Sequence, residues 1–331
     1  MKKLQISLSC GNYDRTQAIF DGRAPIEGCD VTAIPLEPEE VFHRAFKYNE
    51  FDVTEISMSS HMMTTSRGDN EYVAIPAFLS RVFRHSGIYV RTDRGINKPE
   101  DLRGKKIGLP EYQITANVWI RGILEDDFGV KPSDIKWRRG GIEEPGRGER
   151  SPIALDPSID LQQIPDDKSL SGMLESGELD GVIGARAPSC FARGAPNVGR
   201  LFTDYIGAEQ DYFRRTKIFP IMHMVGIRKK LVQEQPWLPV AIYKAFLKAK
   251  ILAVNEIDEL AASPISLPWV VHYHDEVKAL MGDDYWPYGL DAVNRNVIDT
   301  FARYHHEQGL SKRRVGAEEL FAASSLDLSK I

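Results

Sequence analysis

Between Ser80 and His85 the chain crowds Arg81, Arg84 and His85 into one short stretch. Burying such groups without a negative partner is costly, so this is either a solvated turn or a surface facing an anion. An arginine fork grips a carboxylate through paired charge-assisted hydrogen bonds, each worth about 1.5–3 kcal/mol. A second cluster, Glu111, Tyr112, Gln113 and Thr115, lies between an apolar strand and a helix start. There the backbone amides and the helix dipole attract an anion, and Glu111 is a candidate acid, base or acceptor for a hydroxyl. The plain alternative is a segment that caps its own helix. Arg186 closes the apolar run 180–185, and His223 interrupts the apolar run 221–225. Ser59, Ser60 and His61 follow the run 51–56. The modest readings are a loop arginine, a hydrogen-bonded core histidine and a helix cap.

Other tempting residues carry less. His272 and His274 form an HxH pair with no third ligand at a convincing spacing. His305 and His306 are expected on an exposed helix face. The Gly-rich loop 140–147 matches neither a Walker nor a dinucleotide pattern; it either stays solvated or closes on a ligand with Arg147 reaching in. Cys10 has no base partner in view.

These residues are positioned by strands alternating with amphipathic helices, the pattern of parallel βαβ units in an α/β fold. Runs 4–9, 31–35, 51–56, 72–76 and 86–91 read as strands, with helices over 15–21 and from Glu37 onward, where carboxylates occupy the first turn. A second unit begins at Lys98, with strands near 105–108 and 180–184, a helix from Thr115 through Leu124, another at 170–174, and a strand at 221–226. From Trp237 onward the periodicity is almost entirely helical.

The 331 residues suffice for two domains, and 42% hydrophobic with 27% charged residues is a globular composition. The net charge of −5 argues against nucleic acid as a partner. No run approaches the roughly 18 apolar residues of a membrane span. Lys2 and Lys3 precede an alternating polar–apolar stretch, which predicts a first strand and not a secretory signal. Cys10, Cys29 and Cys190 are odd in number and lack metal-ligand spacing, which fits a reducing compartment. The cytoplasm is the expected location.

Several phrases then point one way: CGNYDRT (10–16), LEPEEVFHRAF (36–46), FDVTEISMSS (51–60), GLPEYQITANVWIRG (108–122), RRTKIFPIMH (214–223), MGDDYWPYGL (281–290) and RYHHEQGLS (303–311). They spread over nearly the full length and resemble the 4,5-dihydroxyphthalate decarboxylase family. That resemblance implies a two-lobed type II periplasmic-binding-protein-like fold, with a ligand cleft between lobes joined by two crossover strands. The crossovers are expected near 85–91 and 222–227, one lobe being 1–86 plus 225–331 and the other 87–224. The aromatics of 285–288 would wall a ring or pack the lobes.

The implied reaction removes one carboxyl group from a catechol dicarboxylate, leaving 3,4-dihydroxybenzoate and CO2, as in aromatic catabolism and phthalate degradation. Direct loss of CO2 would leave charge in an sp² orbital that the ring cannot delocalise. Protonating the carboxyl-bearing carbon first is easier, assisted by a para hydroxyl that loses its proton. This requires a base near the phenol, an acid near the carbon and a cation on the retained carboxylate. The resemblance implies Arg84 on that carboxylate, aided by Arg186 or Arg81, and His85 or His61 as the base. His223 or Glu111 would be the acid, and Ser59, Ser60, Tyr112, Gln113 and Thr115 would line the ligand. No cofactor is expected; if a divalent metal takes part, His61, His85, His223, Glu55 and Glu111 are the side chains to hold it. The partner is a small aromatic carboxylate, with no nucleic acid and no membrane, and a homo-oligomer through the helical C-terminal part is an open expectation. The rival readings are a non-catalytic solute-binding protein for an aromatic acid and another enzyme on the same fold. A receptor needs cations and hydrogen bonds but no acid–base pair.

Overall fold

The computed structural model describes residues 2–149, 152–259 and 261–328; Arg150 lies outside them. The strands are β1 (Leu4–Cys10), β2 (Cys29–Pro35), β3 (Val53–Ser57), β4 (Tyr72–Arg81), β5 (Ile88–Arg91), β6 (Lys106–Leu109), β7 (Lys136–Arg139), β8 (Leu161–Gln163), β9 (Gly181–Ile183), β10 (Val198–Arg200) and β11 (Ile221–Arg228). They divide between two compact units, each with its own sheet.

The first unit comprises Met1–Arg81, Ile221–Asp299 and Val315–Ile331. Its sheet runs β2-β1-β3-β11-β4. β1 is parallel to β2 and β3, whereas β11 runs antiparallel to β3 and β4. β3 is central and buried throughout, which suits its β-branched Val53, Thr54 and Ile56 and makes the carboxylate of Glu55 conspicuous. β4 continues through Pro76 to Arg81, beyond the end predicted at residue 76. Proline lacks a ladder donor, but β4 is an edge strand, where that loss is tolerated. Helix Leu238–Ile257 buries Ile242, Phe246 and Ala249. The C-terminal stretch also contains non-helical segments at 258–259, 261–269 and 282–291.

The second unit comprises Val82–Pro220 and Thr300–Arg314. Its sheet runs β10-β5-β9-β6-β7-β8, with β6 parallel to β7 and β9 and β5 antiparallel to β9 and β10. The chain therefore passes between units at 81/82, 220/221, 299/300 and 314/315, and β11 belongs wholly to the first sheet instead of forming a crossover at 222–227. Residues 300–314 sort with the second unit although the sequence places all of 225–331 in one lobe. The reason is packing against helix Thr115–Phe128: Trp119 meets Phe301 and Tyr304, and Gln308 accepts from Arg121 at 2.8 Å. Gly122 permits this approach, since a Cβ there would lie 2.2 Å from the Tyr304 ring. His305, expected on an exposed face, is consequently buried against Phe301, while His306 is exposed.

No helix among the described residues is long and apolar enough to cross a membrane. Cys10, Cys29 and Cys190 are buried free thiols.

Candidate active site

In the first unit, β1 ends in Cys10 and turns through Gly11, Asn12 and Tyr13 into helix Asp14–Phe20. Ligands on parallel sheets gather at such carboxyl ends of strands. Glu55 reaches this turn from β3 with no exposed surface. Its carboxylate accepts from the Gly11 amide at 2.8 Å, the Tyr13 hydroxyl at 3.0 Å and His223 Nδ1 at 2.7 Å. Burial pushes the Glu55 carboxyl up, but its hydrogen bond to His223, that ring's charge, the Gly11 amide and the Tyr13 hydroxyl together hold it below the ordinary glutamate value. With acceptors only on the Glu55 side, Nδ1 carries the proton. Nε2 has no protein partner among the described residues. The His223 side chain is 19% exposed, and Phe42 stands edge-on to it at 4.8 Å.

Gly11 leaves room for this arrangement: a Cβ there would fall 2.3 Å from the Tyr13 ring, which would have to shift. Burial, reinforced by the Glu55 charge, raises the Tyr13 phenol, which therefore donates as a neutral hydroxyl. Burial and the same charge push the Cys10 thiol up, so it is protonated.

The other first-unit candidates are tied into the scaffold. His61 is buried in helix Met58–Arg67, where Nε2 donates to the Leu320 carbonyl at 2.9 Å and Nδ1 has no partner. Burial lowers its pKa to about 4. Ser59 is buried in the same first turn, and half-buried Ser60 offers its carbonyl to Thr64. Arg81 is buried, and one of its terminal nitrogens donates to the Pro287 carbonyl and the Asn294 side chain. Burial draws its pKa down to about 9. His274 pairs with Asp258, whereas His272 is exposed beside Glu276.

In the second unit, Arg84 is buried at the start of the short turn 85–87, and burial lowers its pKa to about 10 despite the Glu209 charge. His85 is buried edge-on against Phe202 and Tyr212, each at 5.2 Å, with Nδ1 unpartnered and its pKa lowered by burial to about 4. Glu111, 1% exposed, accepts from Arg147 Nε and Nη2 at 3.0 and 2.7 Å, so Arg147 does reach inward from its loop, onto a protein carboxylate. Gln113 donates to Glu111 at 3.4 Å, and its carbonyl oxygen is buried without a partner. The amides of Tyr112 and Gln113, where the sequence predicts an anion, are occupied by the carboxylate of Glu149. Burial raises that carboxyl while the two amides pull it back. Tyr112 stacks on buried Arg121 at 3.7 Å, and Thr115 is buried at the first position of its helix. Arg186 is exposed beyond β9.

Thus the structure joins His223 to Glu55 and Tyr13, and Glu111 to Arg147 and Gln113. Among the described residues no three His, Cys, Asp or Glu side chains form a metal-binding group. Tyr13 and the structural role of Glu55 are missing from the sequence expectations. A carboxylate in the otherwise neutral run VTEIS was the available signal for Glu55.

The full-length similarity decides the family. Over 331 residues, all of this chain and all of the relative, the sequence is 47% identical to the 4,5-dihydroxyphthalate decarboxylase of Comamonas testosteroni. The chain belongs to the 4,5-dihydroxyphthalate decarboxylase family. A second relative bearing that name, from Pseudomonas putida, is 49% identical over 214 residues, covering 65% of this chain and 83% of the relative. Residues 25–143 match the NMT1/THI5-like family model. Among solved structures, the putative periplasmic sulfonate-binding protein SsuA from Methylobacillus flagellatus superposes with a TM-score of 0.59 at 14% identity, over 99% of this chain and 94% of that one. At that identity the likeness establishes the fold, which is the periplasmic-binding-protein-like α/β fold. Both relatives are named as decarboxylases, and the chain is a carboxy-lyase of that family.

Proposed function

We propose that the chain converts 4,5-dihydroxyphthalate to 3,4-dihydroxybenzoate and CO2, with the His223–Glu55 pair handling the proton. The reaction rests on end-to-end similarity to a decarboxylase. The assignment of the proton rests on one observation: a fully buried carboxylate fixes Nδ1 of a partly exposed imidazole. Glu55 sets the ring's tautomer and balances the charge of the imidazolium. Nε2 then delivers a proton to the ring carbon bearing the departing carboxylate, while the para hydroxyl gives its own proton to water, pushes electron density into the ring, and takes a proton back from water once CO2 has left. The bond to the carboxyl carbon breaks, its electron pair returns to the ring, CO2 leaves and aromaticity is restored. A positioned acid of this kind contributes about 10²–10⁴-fold to the rate.

The reaction is assigned to the cytoplasm, in keeping with three free buried thiols, and cell fractionation tests that placement. A homo-oligomer remains part of the proposal, to be read from the solution mass.

The deciding experiment follows appearance of 3,4-dihydroxybenzoate from 4,5-dihydroxyphthalate, with and without a chelator. Turnover that persists under chelation, and falls at least about 100-fold in His223→Asn, supports both parts of the reading. Loss of activity on chelation would transfer the chemistry to a metal. Tight binding without turnover would make the chain a receptor.

A further inference from the structure

Arg15 occupies an unusual position on the same turn. Its guanidinium lies between two aromatic rings, 4.3 Å from the centroid of Tyr13 and 4.4 Å from that of Trp286. Trp286 is itself fixed, its indole N–H donating to the Phe78 carbonyl at 2.8 Å. Arg15 Nε donates to the Leu79 carbonyl at 2.6 Å, which sets the roll of the plane. Nη1 meets Asp14 at 3.0 Å, but that carboxylate is 67% exposed, so the contact is weakly held and displaceable. Nη2 has no protein partner among the described residues. The side chain is 18% exposed. A cation with a fixed plane and an open edge is pre-organised for a planar anion, because little side-chain freedom remains to be lost on binding.

The surroundings identify the anion. The Tyr13 ring that supports Arg15 carries the hydroxyl that bonds Glu55, and Glu55 holds His223. Cation and proton donor are therefore the two ends of one connected cluster, linked through Tyr13 and Glu55. A cation held rigidly on the departing carboxylate would oppose its conversion to neutral CO2, whereas the other carboxylate keeps its charge throughout.

We propose that Arg15 is the residue that binds the retained carboxylate of an aromatic ortho-dicarboxylate, and so sets specificity for it. The assignment builds on the decarboxylase reading.

The test compares the wild type with Arg15→Met and Arg15→Lys, using phthalate, with its two carboxylates, and catechol, with none, as competitors. For Arg15→Met, KM for 4,5-dihydroxyphthalate and the phthalate inhibition constant should both rise about 10- to 100-fold. kcat should stay within a few-fold, because an interaction equal in ground and transition states acts through KM. Catechol inhibition should be unchanged, and Arg15→Lys should recover part of the loss. A folded Arg15→Met with unaltered KM and phthalate inhibition would overturn the assignment, as would an equal loss of catechol binding, which would mark a packing role. If the wild type bound phthalate but turned nothing over, the decarboxylase reading would fail, and the change in phthalate dissociation constant in Arg15→Met would still decide the role of Arg15.

Discussion

Glu55 in the first unit and Glu111 in the second are both buried carboxylates, yet they are equipped for different work. Glu111 is pinned by Arg147, whose guanidinium keeps its protons at any ordinary pH. Glu55 is paired with an imidazole, whose second ring nitrogen is free to carry and pass on a proton. One pair is a fixed charge, the other a device for holding a transferable proton. His61 and His85 make the complementary point. They are imidazoles buried without a carboxylate, and burial keeps them neutral. Burial alone silences a histidine; burial beside an ionised carboxylate makes it useful.

The strongest way to break this contrast is Glu55→Gln, which keeps an acceptor for the Gly11 amide and removes the charge. We expect kcat to fall about 100-fold or more, with Glu55→Gln/His223→Asn no worse than the poorer single variant, since groups acting as a unit are not additive. Additive losses in steady-state rates would dissolve the pair.

A second prediction concerns acid. The pKa values of His61 and His85 in the folded chain, about 4, lie below the 6.5 of an unperturbed ring. Between those values the unfolded chain binds more protons. Stability is therefore fully present above pH 6.5 and declines as pH falls toward 4, by about 2–3 kcal/mol per ring. Urea midpoints at pH 7 and 4.5 should show this, and His85→Phe should lessen the difference while preserving the ring contacts. A His85→Phe protein that folds but is inactive would return His85 to the chemistry. The smallest effect is expected for Glu111→Gln: Arg147 is 28% exposed, so losing its partner should lower stability by about 1–2 kcal/mol. A rate loss of 10² or more at unchanged fold would place Glu111 among the proton-transfer groups instead.

The sequence carried the alternation of strands and helices well, because burial periodicity and turn residues are local signals. It misjudged β4, whose passage through Pro76 depends on being an edge strand, a property of sheet order that no local window contains. His223 stood out as a histidine in an apolar run, and Glu55 as a carboxylate in another, but their union needs the antiparallel pairing of β11 with β3. Arg15 was illegible for a similar reason. It reads as an ordinary polar residue in a short helix until Trp286, from the far end of the chain, arrives over it. At Tyr112 and Gln113, expected to line the ligand, the backbone amides donate to the carboxylate of Glu149, a partner that sits 36 and 37 residues away and that no local window contains.

The absent side chain at Gly11 has an evolutionary consequence. Every substitution there adds at least one carbon into the space held by the Tyr13 ring, and that ring bears on both Arg15 and Glu55. A change at position 11 therefore moves the ring on which both neighbours rest, so a lineage adapting this turn to a new acid disturbs less by varying position 15 than by varying position 11.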